Sequence, residues 1–407
     1  MKPDKTTARK CPICGGFQAE ILRKQSFVLP EGHPLVAGYN VVCCCDCGCV
    51  YADTDVSQAD YDAFYSAFSK YEDRSTTTGG GDTPWDAERL RQTARDIALF
   101  LPDKAARILD IGCANGGLLQ ALREMGYPNV HGLDPSHACV QNVSGKGLPA
   151  SIGTLSSLPK DIGDFECVIL SHVLEHVREL PDALKDLEGV VGRDGIVYAE
   201  VPDASRYAEF LTAPFQDFNT EHINHFSGVG LRNVLAVSGW ESQAIRTKDI
   251  LSAPKMPYPA VFAVAKRAAA VYWVRDTELR GRIVEYIQRS QAMLDGIDRI
   301  LRRELPENGE LIVWGTGQLT MKLLVETSLR DARITAFVDG NPINQGRALR
   351  GIPVLSPGQL RGRTEPILIS TIIHQQEVLK AIREVHHLGN PVILIGSGSA
   401  SQGNPGN

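Results

Sequence analysis

The chain has 407 residues, of which 43% are hydrophobic and 22% charged, and a net charge of −6. That length implies two or three domains with sizeable cores, and the acidic balance argues against a general affinity for nucleic acid. No run reaches the roughly 18 apolar residues of a membrane helix, since AVFAVAKRAAAVYWV is broken by Lys266 and Arg267. No secretory pattern follows MKPDKTTARK, so the cytoplasm is the expected compartment, with neither membrane nor nucleic acid as a partner.

Seven of the ten cysteines lie between Cys11 and Cys49. In a cytoplasmic chain such crowding points to metal rather than disulfides. Cys11-Pro-Ile-Cys14-Gly and Cys44-Cys45-Asp46-Cys47-Gly are two C-x-x-C knuckles, each able to aim two thiolates at one ion. Cys11, Cys14, Cys44 and Cys47 are the expected ligands of a structural zinc, because four sulfurs close its coordination sphere. Cys43, Cys45 and Cys49 compete for the assignment. The glycine after each knuckle suits a tight turn.

A polar stretch from Ser69 to Thr83 then reads as a flexible connection. Ahead of it and into it, YDAFYSAFSKYEDRS carries Tyr61, Tyr65 and Tyr71. One of these three, Tyr71 ahead of the other two, is expected to fold over cofactor and substrate, although the spacing also fits an ordinary helix face. From Trp85 to Ser238, short β-branched runs (RILDI, NVHGLD, CVILS, GIVYAEV) alternate with helical segments such as GGLLQALREMG. That alternation predicts a mostly parallel sheet covered by helices. The stretch from Ala260 to Leu305 reads as largely helical, stopped by Pro306-Glu307-Asn308-Gly309. A second α/β pattern follows in ELIVWG, ITAFVD, PILIST and PVILIG, and GSGSASQGNPGN reads as a disordered tail.

After RILDI comes Gly112-Cys113-Ala114-Asn115-Gly116-Gly117, small enough for its backbone to approach a ligand with helix amides behind it. Asp134 ends the next strand, where a carboxylate can take ribose hydroxyls. The loop resembles the G-x-G-x-G motif of class I methyltransferases, with Ala114 at the middle glycine. That resemblance implies S-adenosylmethionine as cofactor. Asp110 would orient its amino-acid end, Gly112, Ala114 and Gly116 would form the cradle, and Asp134 would hold the ribose. Leu155 of IGTLSSLP would pass beside the adenine, and Ser171 of CVILSHVLEHV would line the methyl donor. His176, in the same segment, either faces substrate or only packs.

Glu221-His222-Ile223-Asn224-His225-Phe226-Ser227 sets a carboxylate beside two histidines. HINH alone is an incomplete zinc site, so acid–base work by Glu221, His222 and His225 is the better reading. The cysteine module, the methyltransferase core, the EHINHFS loop and a C-terminal α/β domain with VWGTGQLTMKLL together resemble the sugar C-methyltransferases of deoxysugar biosynthesis. The resemblance spans essentially the whole chain. It implies methyl transfer to a nucleotide-linked keto sugar in deoxysugar, antibiotic or surface-polysaccharide biosynthesis, through an enolate formed beside the ketone. The family loop typically reads Y-H-E-H-x-x-Y-F-S. Here Asn219 stands where the first tyrosine belongs and His225 replaces the second, while Glu221 and His222 match. Carbon, oxygen and nitrogen all stay open as the methylated atom.

The expected fold is therefore α/β: a class I methyltransferase Rossmann-like core flanked by a small four-cysteine zinc module and a C-terminal Rossmann-like α/β domain. The expected boundaries are 1–58, 59–250 and 251–398, with a tail at 399–407. Gly315-Thr316-Gly317 and Asp339 form half of a dinucleotide fingerprint. Asn341, Pro342 and Gln345 are either nucleotide contacts or a surface turn. A fused oxidoreductase, a nucleic-acid module on the knuckles and a non-catalytic nucleotide-binding protein are the rival readings.

Overall fold

The computed structural model describes residues 5–67, 80–269, 272–306 and 309–396. Tyr71 and the 399–407 tail lie outside the described residues. Two compact units are present. The larger comprises Met1–Gln25, Pro34–Phe210 and Thr220–Tyr286, and the smaller comprises Ser26–His33, Leu211–Asn219 and Ile287–Asn407.

The larger unit is built on a seven-stranded sheet. In spatial order its strands are Trp240–Ala253, Met256–Arg267, Val191–Pro202, Phe165–Ser171, Ile108–Ile111, Val130–Asp134 and Ala150–Ile152. The strands from Val191–Pro202 onward pair in parallel, whereas Met256–Arg267 runs against both its neighbours. Leu109, Ile111, Leu133, Val168 and Leu170 pack into one core. Ile108, Val130, Cys167, Ile169 and Tyr198 pack into the core on the other face. Burial on both faces is why these strands read as continuous apolar runs rather than as alternations.

The same two-sided burial corrects one sequence expectation. AVFAVAK, read as the start of a helical stretch, lies in the strand Met256–Arg267, and the helix runs instead over Leu279–Glu304. An apolar run buried on both faces carries no period that separates strand from helix. The polar stretch before Thr83 is corrected in part as well. The Gly80 carbonyl accepts from Lys146 Nζ at 2.7 Å, and Gly81 N–H donates to Asp86 at 2.9 Å. A Cβ on Gly117 would stand 2.7 Å from the backbone of both glycines. The described end of that stretch is thus packed against the start of the Gly117–Glu124 helix.

A second sheet of five strands joins Lys5–Thr6, Gln18–Ser26, Gly38–Cys44, Val50–Asp53 and Asn224–His225 in that order. Its last strand comes from EHINHFS and pairs antiparallel with Val50–Asp53, Asn224 opposite Tyr51 and His225 opposite Val50. Cys11, Cys44, Cys47 and Tyr51 share one apolar core with Leu109 and Ile111 of the large sheet. The cysteine region is therefore a wall of the methyltransferase-like core rather than an appendage.

The smaller unit holds a six-stranded sheet, ordered Ala348–Leu349, Ile352–Leu355, Arg333–Val338, Glu310–Trp314, Ile367–Ile369 and Val392–Leu394. Its interior strands pair in parallel. Asp339, which a dinucleotide would need, is engaged by its own loop. Its Oδ2 accepts from Thr316 N at 3.1 Å, Thr316 Oγ1 at 2.5 Å and Asn344 Nδ2 at 3.0 Å, while Oδ1 accepts from Asn341 N at 2.9 Å. Gln345 Nε2 donates to the Asp339 carbonyl at 2.9 Å. Asn341 and Gln345 thus close a self-bonded turn.

Candidate active site

The two knuckles bring four sulfurs together. Cys11 Sγ lies 3.4 Å from Cys47 Sγ, and Cys14 Sγ lies 3.4 Å from Cys44 Sγ. All four sulfurs fall within 4.8 Å of one another. Gly15 and Gly48 stand at φ 73 and 79, where glycine turns the chain without strain. Their amides donate to the carbonyls of Cys11 and Cys44 at 3.0 and 3.1 Å. Cys43 and Cys49 are not among the four clustered sulfurs, their Sγ atoms contacting the Gly48 and Val50 carbonyls at 3.7 and 3.9 Å, although Cys49 also borders Cys11. Four thiolates of this kind suit a closed tetrahedral ion such as zinc.

A cavity of about 400 Å³ opens at the carboxyl ends of the central strands, where ligands of open α/β sheets bind. Gly112 (φ 78) and Ala114 (φ 45) turn the loop after Ile108–Ile111. A Cβ on Gly112 would lie 2.7 Å from Val173 Cγ2, so no larger residue fits there. Ala114 occupies the left-handed region, a strain of about 1–2 kcal/mol for a residue with a Cβ. Asp134 fixes the loop, its Oδ2 accepting from Ala114 N and its Oδ1 from Ser136 N, both at 2.9 Å. Burial raises its pKa to about 6 against the pull of those two amides. Asp110 is raised further, to about 8, by burial and then by the Asp134 charge. A cation placed beside Asp110, such as an amino-acid ammonium, would offset both effects.

The opposite wall carries histidines. His176 Nδ1 lies 2.8 Å from Tyr65 Oη and 3.0 Å from the Glu221 carbonyl. The His222 ring meets the His176 ring edge-on at 4.9 Å between centroids. Glu175, His176 and His222 place donor atoms within 4.8 Å of one another. His172 sits at φ 58 with Nδ1 3.2 Å from Glu175 and Nε2 3.3 Å from Glu200. Burial opposes its charge, but those two carboxylates prevail and raise its pKa to about 9.

Of the residues singled out in the sequence, Asp110, Gly112, Ala114, Asp134, Leu155, Ser171, His176 and His222 line this cavity. Gly116 stands behind it as the left-handed cap of the Gly117–Glu124 helix, packed on Val143. Glu221 and His225 are not among the lining residues. Glu221 meets the site through its backbone carbonyl. His225 is 1% exposed in its strand, ring to ring with Tyr207 at 6.0 Å. Burial, and then the Arg9 charge, lower its pKa to about 3, which describes a neutral core histidine. The wall also includes Tyr65, one of the three tyrosines singled out in the sequence, and Arg89, His172, Glu175, Leu251 and Tyr258, to which the sequence assigns no role. HVLEH offered the one available signal, since its spacing brings His172, Glu175 and His176 onto a single turn.

The sheet order, with one antiparallel strand inserted beside the last, and the glycine loop tied to an acid define a class I methyltransferase fold. Residues 85–244 match the family model described as a methyltransferase domain. No curated protein matches the chain. The solved structures it is similar to include a protein from Pyrococcus horikoshii, at 16% identity and TM-score 0.39, over 48% of this chain and 97% of that one. Another is the 1,6-didemethyltoxoflavin-N1-methyltransferase of Burkholderia thailandensis, at 15% identity and TM-score 0.39, over 55% and 98%. A third is an S-adenosylmethionine dependent methyltransferase from Mesorhizobium loti, at 18% identity and TM-score 0.35, over 44% and 100%. The chain is a methyltransferase, its matched domain spanning residues 85–244. Among the described residues no helix is long and apolar enough to cross a membrane.

Proposed function

We propose that this methyltransferase acts in the cytoplasm on a nucleotide-linked keto sugar, and that Cys11, Cys14, Cys44 and Cys47 hold a structural zinc. One observation carries the catalytic part: His176 and His222 face the same cavity as the glycine loop and Asp134. S-adenosylmethionine supplies an electrophilic methyl group. Asp110 would hold its ammonium, Gly112 and Ala114 its amino-acid backbone, Asp134 its ribose and Leu155 its adenine side. Ser171 would line the approach to the methyl donor. His222, steadied by His176, would remove the proton from the acceptor, and the electron pair left behind would form the bond to the methyl carbon as the methyl–sulfur bond breaks and S-adenosylhomocysteine leaves.

The resemblance to sugar C-methyltransferases supports the carbon beside a ketone as that acceptor. Asn219, in place of the family tyrosine, favours oxygen or nitrogen on a sugar as the second reading. Mass spectrometry with isotope-labelled methyl donor against nucleotide-linked keto, amino and hydroxy sugars tests this. Label in a keto sugar at a non-exchangeable carbon supports the proposal. No label in any of these sugars overturns it.

A further inference from the structure

Glu175 lies at the end of a buried run of charges that reaches the cavity. Its Oε1 faces His172 Nδ1 at 3.2 Å and His176 Nε2 at 3.9 Å. Its Oε2 is buried and has no hydrogen-bond partner among the described residues. His172 Nε2 faces Glu200 Oε1 at 3.3 Å, and Glu200 Oε2 accepts from Lys248 Nζ and Tyr198 Oη at 2.6 Å each. Lys248 Nζ also contacts Asp96 Oδ2 at 2.7 Å and Thr93 Oγ1 at 3.2 Å. Glu175 is 1% exposed and Glu200 is 0% exposed. The signs alternate along the run: Glu175, His172, Glu200, Lys248, Asp96.

This arrangement separates two histidines by role. His172 Nδ1 lies in hydrogen-bond reach of Glu175, and Nε2 lies 3.3 Å from Glu200 Oε1 at an angle that makes no hydrogen bond. The two carboxylates favour the imidazolium form of His172, which has no lone pair to accept a proton. Its left-handed backbone is strained, and the two ion pairs hold it there. His176 differs. A ring protonated on Nδ1 donates to the Glu221 carbonyl and leaves the Nε2 lone pair toward Glu175. A carboxylate placed there stabilises the imidazolium that forms when the pair takes a proton, and it does so where water is largely excluded.

We propose that Glu175, oriented by the His172–Glu200–Lys248 run, is the positioning carboxylate of the His176–His222 pair. The proposal rests on the reading of that pair as the base. The charged and titratable groups in contact with it are His172 and His176 on its own turn, with Glu200 of the central sheet beyond His172 and His222 of the EHINHFS loop beside His176. Asp62 and Tyr65 of the Gln58–Ala67 helix, Arg89 of the Pro84–Ala98 helix, and Asp110 and Asp134 line the same cavity.

The test uses the full chain, with an acceptor-free readout first. Carbethoxylation of His176 and His222 by diethylpyrocarbonate, mapped by peptide mass spectrometry over about pH 5 to 8, follows the reactivity of the pair directly. In Glu175→Gln the half-point of that profile should fall by about one pH unit, Glu175→Asp should restore much of it, and S-adenosylmethionine affinity should stay within about threefold. With a nucleotide-linked 4-keto-6-deoxyhexose as acceptor, Glu175→Gln should lower kcat about 100-fold with KM little changed. If Glu175→Gln does not fold, His172→Gln, which frees Glu175 from its anchor, should shift the same profile. An unchanged profile overturns the proposal. So does a second metal ion per chain that is lost with Glu175→Gln, since the trio would then be a metal site. If the profile shifts and yet His222→Ala turns over normally, the base reading has failed while the positioning of the pair stands.

Discussion

Asn224 pairs in register with Tyr51, and its side-chain amide donates to the carbonyls of Leu174 and Val177 at 2.8 and 2.7 Å. One buried residue thereby ties the cysteine-rich sheet to the turn that carries Glu175 and His176. Arg9 reinforces the tie, donating to the Ile223 carbonyl at 3.0 Å, to Asn224 Oδ1 at 2.8 Å and to the Arg178 carbonyl at 2.9 Å. A metal that closes the knuckles is therefore expected to act on catalysis at a distance, by holding the segment that bears His222.

Chelation of the bound metal, or Cys11→Ser, should lower turnover at least tenfold and reduce solubility. S-adenosylmethionine binding should be much less affected, because the glycine loop lies on the other sheet. Elemental analysis paired with calorimetry checks this. Unchanged metal content in Cys11→Ser would defeat the zinc assignment.

The glycine loop makes opposite demands at two neighbouring positions. Gly112→Ala should abolish S-adenosylmethionine binding, because its Cβ would meet Val173 at 2.7 Å and its φ is 78. Ala114→Gly relieves a left-handed alanine at φ 45 and should stabilise the fold by about 0.5–1 kcal/mol, the strain relief outweighing the added chain entropy. Thermal melts and calorimetry on the two variants measure both effects.

Asp110, raised to about 8 by burial and the Asp134 charge, is mostly protonated at pH 7 before cofactor binds. An ammonium beside it would favour the carboxylate, so binding should release up to about one proton. Calorimetry at pH 7 in buffers of different ionisation enthalpy reads that proton. Asp110→Asn should bind without releasing it.

His172 is raised to about 9 in the fold, above the ordinary value for histidine. Its ion pairs therefore contribute stability that is complete below about pH 6.5 and is lost as pH rises through about 9, on the order of 3 kcal/mol. Glu200 is held well below the carboxylate range, burial opposing its charge but Lys248 and then His172 prevailing. Its contribution is complete above about pH 4.5 and fades as pH falls below that. Denaturant unfolding across pH should show a plateau between these limits. In His172→Gln the alkaline fall should be absent.

The parts of the molecule that repeat a local rule were legible in the sequence. Ile108–Ile111, the Gly112–Gly117 loop and Asp134 follow one another in the chain, and the knuckles carry their own spacing. What stayed hidden depends on contacts between distant segments. His225 and His222 are alike as residue types, and only the pairing of Asn224–His225 with Val50–Asp53 decides that His225 is core while His222 faces the cavity. Glu221 looked like the carboxylate partner because it adjoins His222 in sequence. In space Glu175, one residue before His176, also brings a carboxylate oxygen to the histidine pair, 3.9 Å from His176 Nε2.

That distinction predicts unequal variants. Glu221→Gln keeps the backbone carbonyl that meets His176 and should keep turnover within about tenfold. His225→Phe should change stability more than rate, because the ring it replaces is neutral and buried. Steady-state kinetics beside thermal melts separates the two.

The most direct measurement is solvent deuterium exchange at the carbon beside the ketone of a nucleotide-linked 4-keto sugar, followed by mass spectrometry with S-adenosylhomocysteine in place of the methyl donor. Wild-type enzyme should wash deuterium into that one position, and His222→Ala should slow the exchange about 10²–10⁴-fold while still binding S-adenosylmethionine. Exchange at the same rate in His222→Ala would contradict the assignment of the base. No exchange in the wild type, together with methylation of a sugar hydroxyl or amine, would contradict carbon as the acceptor.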